Sequence, residues 1–129
     1  MLRWLFIAFL FVHGLVHLTV WVAHLPEAKD GKRPRYDPHR SWLFGTGTAA
    51  RLVGGGLAIV ACVLFVLGAV LLAAGAEAWR PVTAVASGVG LLVAVLFFNP
   101  WLLLDVAMNA ALLYGLVVAD WPSESFAGA

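Results

Sequence analysis

Charged residues are scarce in this sequence. Asp, Glu, Lys and Arg make up only 12% of its 129 residues, about half the share found in a typical soluble domain. Hydrophobic residues make up 63%, and the mean hydropathy is +0.95. The formal net charge is only +1, and nothing in the charge pattern suggests nucleic acid as a partner. The composition therefore predicts a membrane protein, with the lipid bilayer as its main partner.

Cysteine is almost absent as well. Cys62 is the only one, so no intramolecular disulfide can form, and its place within an apolar stretch predicts a small buried hydrophobic residue. No serine or cysteine is paired with a plausible base, so the sequence gives no sign of a hydrolase. It favours a protein without enzymatic activity over an enzyme.

Four long apolar blocks make up most of the chain, at residues 4–25, 52–76, 81–98 and 100–119. At about 1.5 Å per residue, each block crosses or nearly crosses a hydrocarbon core of roughly 30 Å. The first block follows Arg3 as a secretory signal would, but its length predicts a retained helix. The sequence therefore predicts an all-α fold, a four-helix transmembrane bundle, as a single domain over residues 1–129 with a basic loop at 26–51.

Lysine and arginine are distributed unevenly between the two sides of this bundle. Six of the eight lie in the first loop or at the start of the second block: Lys29, Lys32, Arg33, Arg35, Arg40 and Arg51. Under the positive-inside rule, the first loop is cytoplasmic and both termini lie outside. The predicted location is the cell (inner) membrane, which the chain crosses four times.

Small residues form a stripe on each of the two middle helices. The stripe of the second helix is Gly54, Ala58, Ala61 and Gly68, and that of the third is Thr83, Ser87, Gly90 and Ala94. Small side chains let helix backbones approach closely within a membrane. Both stripes are therefore expected to face neighbouring helices, with the opposite face of the third helix towards lipid.

Polar side chains cluster in the first and last blocks. His13, His17 and His24 fall within about 40° of one another around the first helix. Asp105 and Asn109 are one turn apart in the fourth. Counted from the same membrane face, Asn109 is level with His17, and Asp105 lies between His17 and His24 in depth. If the first and fourth helices are neighbours, these five side chains form one ligand or proton site.

The same residues allow several kinds of chemistry. A proton shared between histidine and carboxylate would serve a carrier or a redox relay, whereas a structural clasp would only fix the helix register. His13, His17 and Asp105 are also candidate ligands for a transition metal such as zinc, iron or copper. The sequence requires no cofactor, and a transition metal or a quinone stays open as an alternative.

Short motifs occur along most of the chain: His13-Gly14-Leu15-Val16-His17-Leu18, Arg51-Leu52-Val53-Gly54, Trp79-Arg80-Pro81 and Asn109. Together they resemble a group of small four-helix bacterial integral membrane proteins of uncharacterised function, with a layout loosely similar to DoxX-like proteins. The positions of this chain that match the group residue by residue are His13, Gly14, His17 and Asn109. Asp105, His24 and the basic first loop depart from its pattern. The resemblance implies no activity by itself, although a DoxX-like layout would imply quinone-associated redox chemistry.

Three functions follow as hypotheses. The leading one is a small carrier or accessory subunit that binds a small polar or protonatable ligand between the first and fourth helices. The second is a redox subunit that binds a quinone or a metal. The third is a structural partner subunit, and each of the three is compatible with a homo-oligomer or a larger membrane complex.

Overall fold

The computed structural model describes residues 1–21, 40–123 and 126. Within them the chain forms four α-helices: α1 (Leu2–Trp21), α2 (Thr48–Ala73), α3 (Trp79–Leu96) and α4 (Leu103–Val117). A short 3-10 turn, Pro100–Leu102, leads into α4. The four segments, counting α4 together with this turn, are long and apolar enough to cross a membrane. The predicted all-α four-helix fold is therefore confirmed.

The helix ends differ from the predicted blocks by a few residues. The helix α2 begins at Thr48 and ends at Ala73, so the predicted loop 26–51 and the predicted helix end at 76 are wrong at these positions. The helix α3 begins at Trp79, two residues before Pro81. Proline is accepted there because backbone N–H groups in the first turn have no partner within the helix. Residues 22–25 of the predicted first block lie outside the described residues.

Consecutive helices pack closely: α1 on α2, α2 on α3, and α3 on α4. Every residue of the two small stripes is buried, as predicted. At Gly14, an added Cβ would lie 2.9 Å from Cβ of Phe65 on α2, and at Gly68 it would overlap Oγ1 of Thr83 on α3. Glycine at these positions therefore permits the close helix approach.

The outer surface of the bundle is apolar. Large hydrophobic side chains are exposed on every helix, among them Val12, Ile59, Val85 and Leu104. Monomeric soluble proteins rarely expose apolar surface on this scale. Such a surface suits contact with lipid chains, in agreement with the four membrane-length helices.

Arg3 and Arg80 each bind the C-terminal end of another helix. Arg3 donates to the carbonyls of Leu72 at 2.8 Å and Ala73 at 3.0 Å. Arg80 donates to the carbonyl of Leu116 at 3.1 Å, and to Asp120. Carbonyls in the last turn of a helix have no partner within it, so these bonds satisfy the ends of α2 and α4.

Candidate ligand site between α1 and α4

Four of the five polar residues singled out in the sequence meet between α1 and α4. Nε2 of His17 lies 3.8 Å from Oδ1 of Asp105, and Nε2 of His13 lies 4.0 Å from the same oxygen. Nε2 of His13 is also 3.3 Å from Oδ1 of Asn109. The fifth residue, His24, lies outside the described residues.

Asn109 connects the two helices. Its Nδ2 donates to the backbone carbonyl of Asp105 at 2.9 Å and to the Asp105 carboxylate at 3.1 Å. Because Nδ2 faces these two acceptors, Oδ1 is the atom turned towards His13, and it accepts a bond from Nε2–H of that ring. Asn109 therefore fixes the Asp105 carboxylate and sets the tautomer of His13.

His17 has one nitrogen bonded and one nitrogen free. Its Nδ1 donates to the backbone carbonyl of His13, one turn earlier, at 3.0 Å. A carbonyl can only accept, so Nδ1 carries the proton of the neutral ring and Nε2 keeps its lone pair. That Nε2 points at Asp105 and has no hydrogen-bond partner among the described residues.

Other atoms of the cluster also lack hydrogen-bond partners within the described part of the chain. These are Oδ2 of Asp105 and Nδ1 of His13. With His13 in the tautomer that Asn109 requires, both atoms are acceptors. The site thus holds several buried lone pairs and no unpaired donor among its two imidazoles, carboxylate and carboxamide.

Burial is nearly complete on the α1 side of the site. The side chain of His17 is 0% exposed and that of His13 1%, whereas that of Asp105 is 13% exposed. Asp105 lies in the first turn of α4, where the N-terminal end of the helix dipole faces its carboxylate. The remaining exposure of the cluster is therefore at the Asp105 side chain, on the α4 side.

The two middle helices complete the walls. The Phe65 ring of α2 lies edge-on to His13 at 4.8 Å and tilted to His17 at 5.7 Å. Gly90 of α3 is the floor, since a Cβ there would lie 2.5 Å from Oδ1 of Asn109 and 2.8 Å from Nε2 of His17. Every helix of the bundle therefore contributes to the site.

Sequence reasoning missed the part played by three of these neighbours. Gly90 was predicted only as a packing residue, and Phe65 was not singled out. Trp21 is not predicted as part of the site either, yet it is 2% exposed and its ring stacks on His17 at 5.9 Å. The four-residue spacing from His17 to Trp21 was the available signal, because such residues lie on the same helix face.

An apolar crevice lies between α1 and α4, on the side of the polar cluster that faces the chain termini. Its volume is about 270 Å³, and its lining residues are Phe6, Phe9, Met108, Ala111, Leu112, Leu116 and Trp121. The Phe9 ring stacks on His13 at 5.5 Å and so stands between the crevice and the polar cluster. Side chains, those of the polar cluster among them, rather than close backbone packing, thus join α1 to α4.

No known protein family, curated protein or solved structure matches this chain. The function is therefore argued from the chemistry of the site alone.

Proposed function

We propose that this chain is a multi-pass membrane protein that binds a small polar ligand at the α1–α4 site, as a small carrier or accessory subunit. The observation that carries this proposal is the free Nε2 of His17. It is fully buried, lies 3.8 Å from the Asp105 carboxylate and has no hydrogen-bond partner among the described residues.

A structural clasp would pair its polar groups with one another. An unpartnered polar group in an apolar interior costs a few kcal/mol, and this cluster keeps three such atoms among the described residues, on His13, His17 and Asp105. The cost is offset if the atoms bind something that enters the site. These atoms without hydrogen-bond partners therefore favour a ligand site over a structural clasp.

The free atoms also determine the kind of ligand. Lone pairs on His17 and Asp105 are available, while the Nε2–H of His13 and the Nδ2–H of Asn109 are occupied within the cluster. Such a set binds a cation or a hydrogen-bond donor, including a proton, and repels anions. We therefore propose that the ligand is a small cation or a small hydrogen-bond donor. An amine would meet both descriptions, because it is protonatable.

The first test measures thermal unfolding of the protein in a mild detergent with probes of known charge. We expect at least one of methylammonium, methylguanidinium and Zn²⁺ to raise the Tm, because a ligand that binds only the folded state stabilises it. Acetate and phosphate should leave the Tm unchanged. Asp105→Asn keeps the shape but removes the charge, and it should abolish the rise.

Asp120→Asn is the matched control. Asp120 is an exposed acid bound to Arg80 near the terminal ends of the helices, so its variant should respond to the probes as the wild type does. A Tm that no cationic probe raises, or a rise that persists in Asp105→Asn, would identify the cluster as a clasp and contradict the proposed function.

The membrane orientation is part of the same proposal. Six of the eight basic residues lie between residues 29 and 51, so we place this side in the cytoplasm and both termini outside the cell membrane. In a background in which Cys62 is replaced by alanine, Lys32→Cys should not react with an impermeant maleimide in intact spheroplasts. Ala129→Cys should react there. Labelling of Lys32→Cys without permeabilisation would reverse the loop and both termini together.

A further inference from the structure

We infer that the ligand of the α1–α4 site is a divalent transition-metal ion, bound by His13, His17 and Asp105. This inference rests on the proposed function and makes it more specific. Each of the three residues offers one ligand atom, and the three atoms lie within 4.8 Å of one another. Three separate observations support a metal over an organic cation: the spacing, the kind of donor atoms, and the hydrogen bonds that orient them.

The spacing is close to that of a coordination shell. Metal bonds of about 2.0–2.2 Å place neighbouring ligand atoms of a tetrahedron about 3.3–3.5 Å apart. The distances from Oδ1 of Asp105 are 3.8 Å to His17 and 4.0 Å to His13. The three ligand atoms lie within 4.8 Å of one another, so side-chain movements of up to about 1.5 Å, shared between the two histidines and Asp105, would close a tetrahedral shell.

The donor atoms select the class of metal. Two imidazole nitrogens and one carboxylate oxygen suit Zn²⁺, Fe²⁺ and Co²⁺. Calcium takes six to eight oxygen ligands, and magnesium keeps several waters in an octahedral shell. A buried cluster with one carboxylate among apolar helices suits neither of these ions.

The hydrogen bonds around the cluster orient the ligands as in known metal sites. A histidine that binds a metal nearly always donates its other ring N–H to a carbonyl or a carboxylate. His17 does this, because Nδ1 donates to the carbonyl of His13 at 3.0 Å and leaves Nε2 free. Asn109 holds the carboxylate of Asp105 at 3.1 Å. His17 and Asp105 are thus already arranged to bind.

His13 completes the set after one change. Its Nε2 donates to Asn109 over 3.3 Å, a long bond that it must give up to offer a lone pair to the metal. Its proton then moves to Nδ1, so the number of protons on the ring stays the same. With three protein ligands, a tetrahedral ion keeps one position open, as in catalytic sites rather than closed structural sites.

The experiment titrates the untagged full chain in mild detergent with Co²⁺ and then with Zn²⁺. We expect one Co²⁺ per chain with the visible spectrum of nitrogen and oxygen ligands, displacement of that ion by Zn²⁺, and no competition from excess Mg²⁺. His17→Gln and Asp105→Asn should each abolish the Co²⁺ spectrum. Asn109→Ala removes only a residue that positions a ligand and should weaken Zn²⁺ binding about 10- to 100-fold.

Controls separate this site from other metal-binding groups of the chain. Cys62→Ala, His39→Gln and Asp120→Asn should bind Zn²⁺ as the wild type does. Zn²⁺ binding that survives in the His17→Gln/Asp105→Asn double variant, or a wild-type protein that binds neither ion, would overturn the metal inference. If methylammonium still raised the Tm of that wild-type protein through Asp105, the inference would fail and the proposed function would stand.

Discussion

Gly90→Ala should abolish ligand binding and destabilise the bundle. The added Cβ would lie 2.5 Å from Oδ1 of Asn109 and 2.8 Å from Nε2 of His17, both far inside van der Waals contact. The methyl group would push apart the two side chains that define the site. Inserting one methyl group into a packed interior costs about 1–3 kcal/mol. Reversible unfolding in mixed micelles measures the loss of unfolding free energy. Binding is measured as the rise in Tm with whichever of methylammonium, methylguanidinium and Zn²⁺ stabilises the wild type.

The same helix offers a matched control. A Cβ on Gly88 would have nothing within 4 Å, so Gly88→Ala should keep full binding and gain up to about 1 kcal/mol from the better helix propensity of alanine. Equal stability and equal binding in the two variants would show that Gly90 is not the floor of a packed site.

The sequence was sufficient to predict the number and approximate positions of the helices. Apolar stretches of about 20 residues have few alternatives to membrane-length helices, and Asp105 is the only acid or permanent base within the predicted blocks. The ends were less predictable because an apolar composition does not determine at which residue helical hydrogen bonding begins or stops. The helix α3 starts before Pro81 rather than at it, and a 3-10 turn that begins at Pro100 precedes α4.

The polar cluster was partly predictable because helix geometry is regular. His13 and His17 are four residues apart, as are Asp105 and Asn109, so each pair shares a face. Counting residues from one membrane face brought the two pairs to similar depths, and the structure places them in contact. Whether they bind a ligand stays a prediction.

The rest of the site depends on tertiary packing that no single helix encodes. Phe65 reaches the histidines only because Gly14 lets α1 and α2 approach closely. Gly90 lies at the floor only because α3 packs against α4 in this register. Contact between α1 and α4 likewise depends on side chains from both helices. Their polar side chains meet, while an apolar crevice separates part of the seam.

The central claim is that His17 of α1 and Asp105 of α4 belong to one site. A double-mutant cycle of unfolding free energies, with His17→Ala, Asp105→Asn and their combination, tests it most directly. His17→Ala leaves Asp105 without its nearest α1 partner at 3.8 Å, so it should cost more than its own packing. The combined variant should then lose less than the sum of the single losses, by about 0.5–3 kcal/mol.

A control cycle pairs His17→Ala with Asp120→Asn. Asp120 lies beyond the C-terminal end of α4 in contact with Arg80, so these two changes should add within about 0.5 kcal/mol. Coupling in the first cycle with additivity in the second is the result that a shared site predicts. Strict additivity in both cycles would separate His17 from Asp105 and contradict the site.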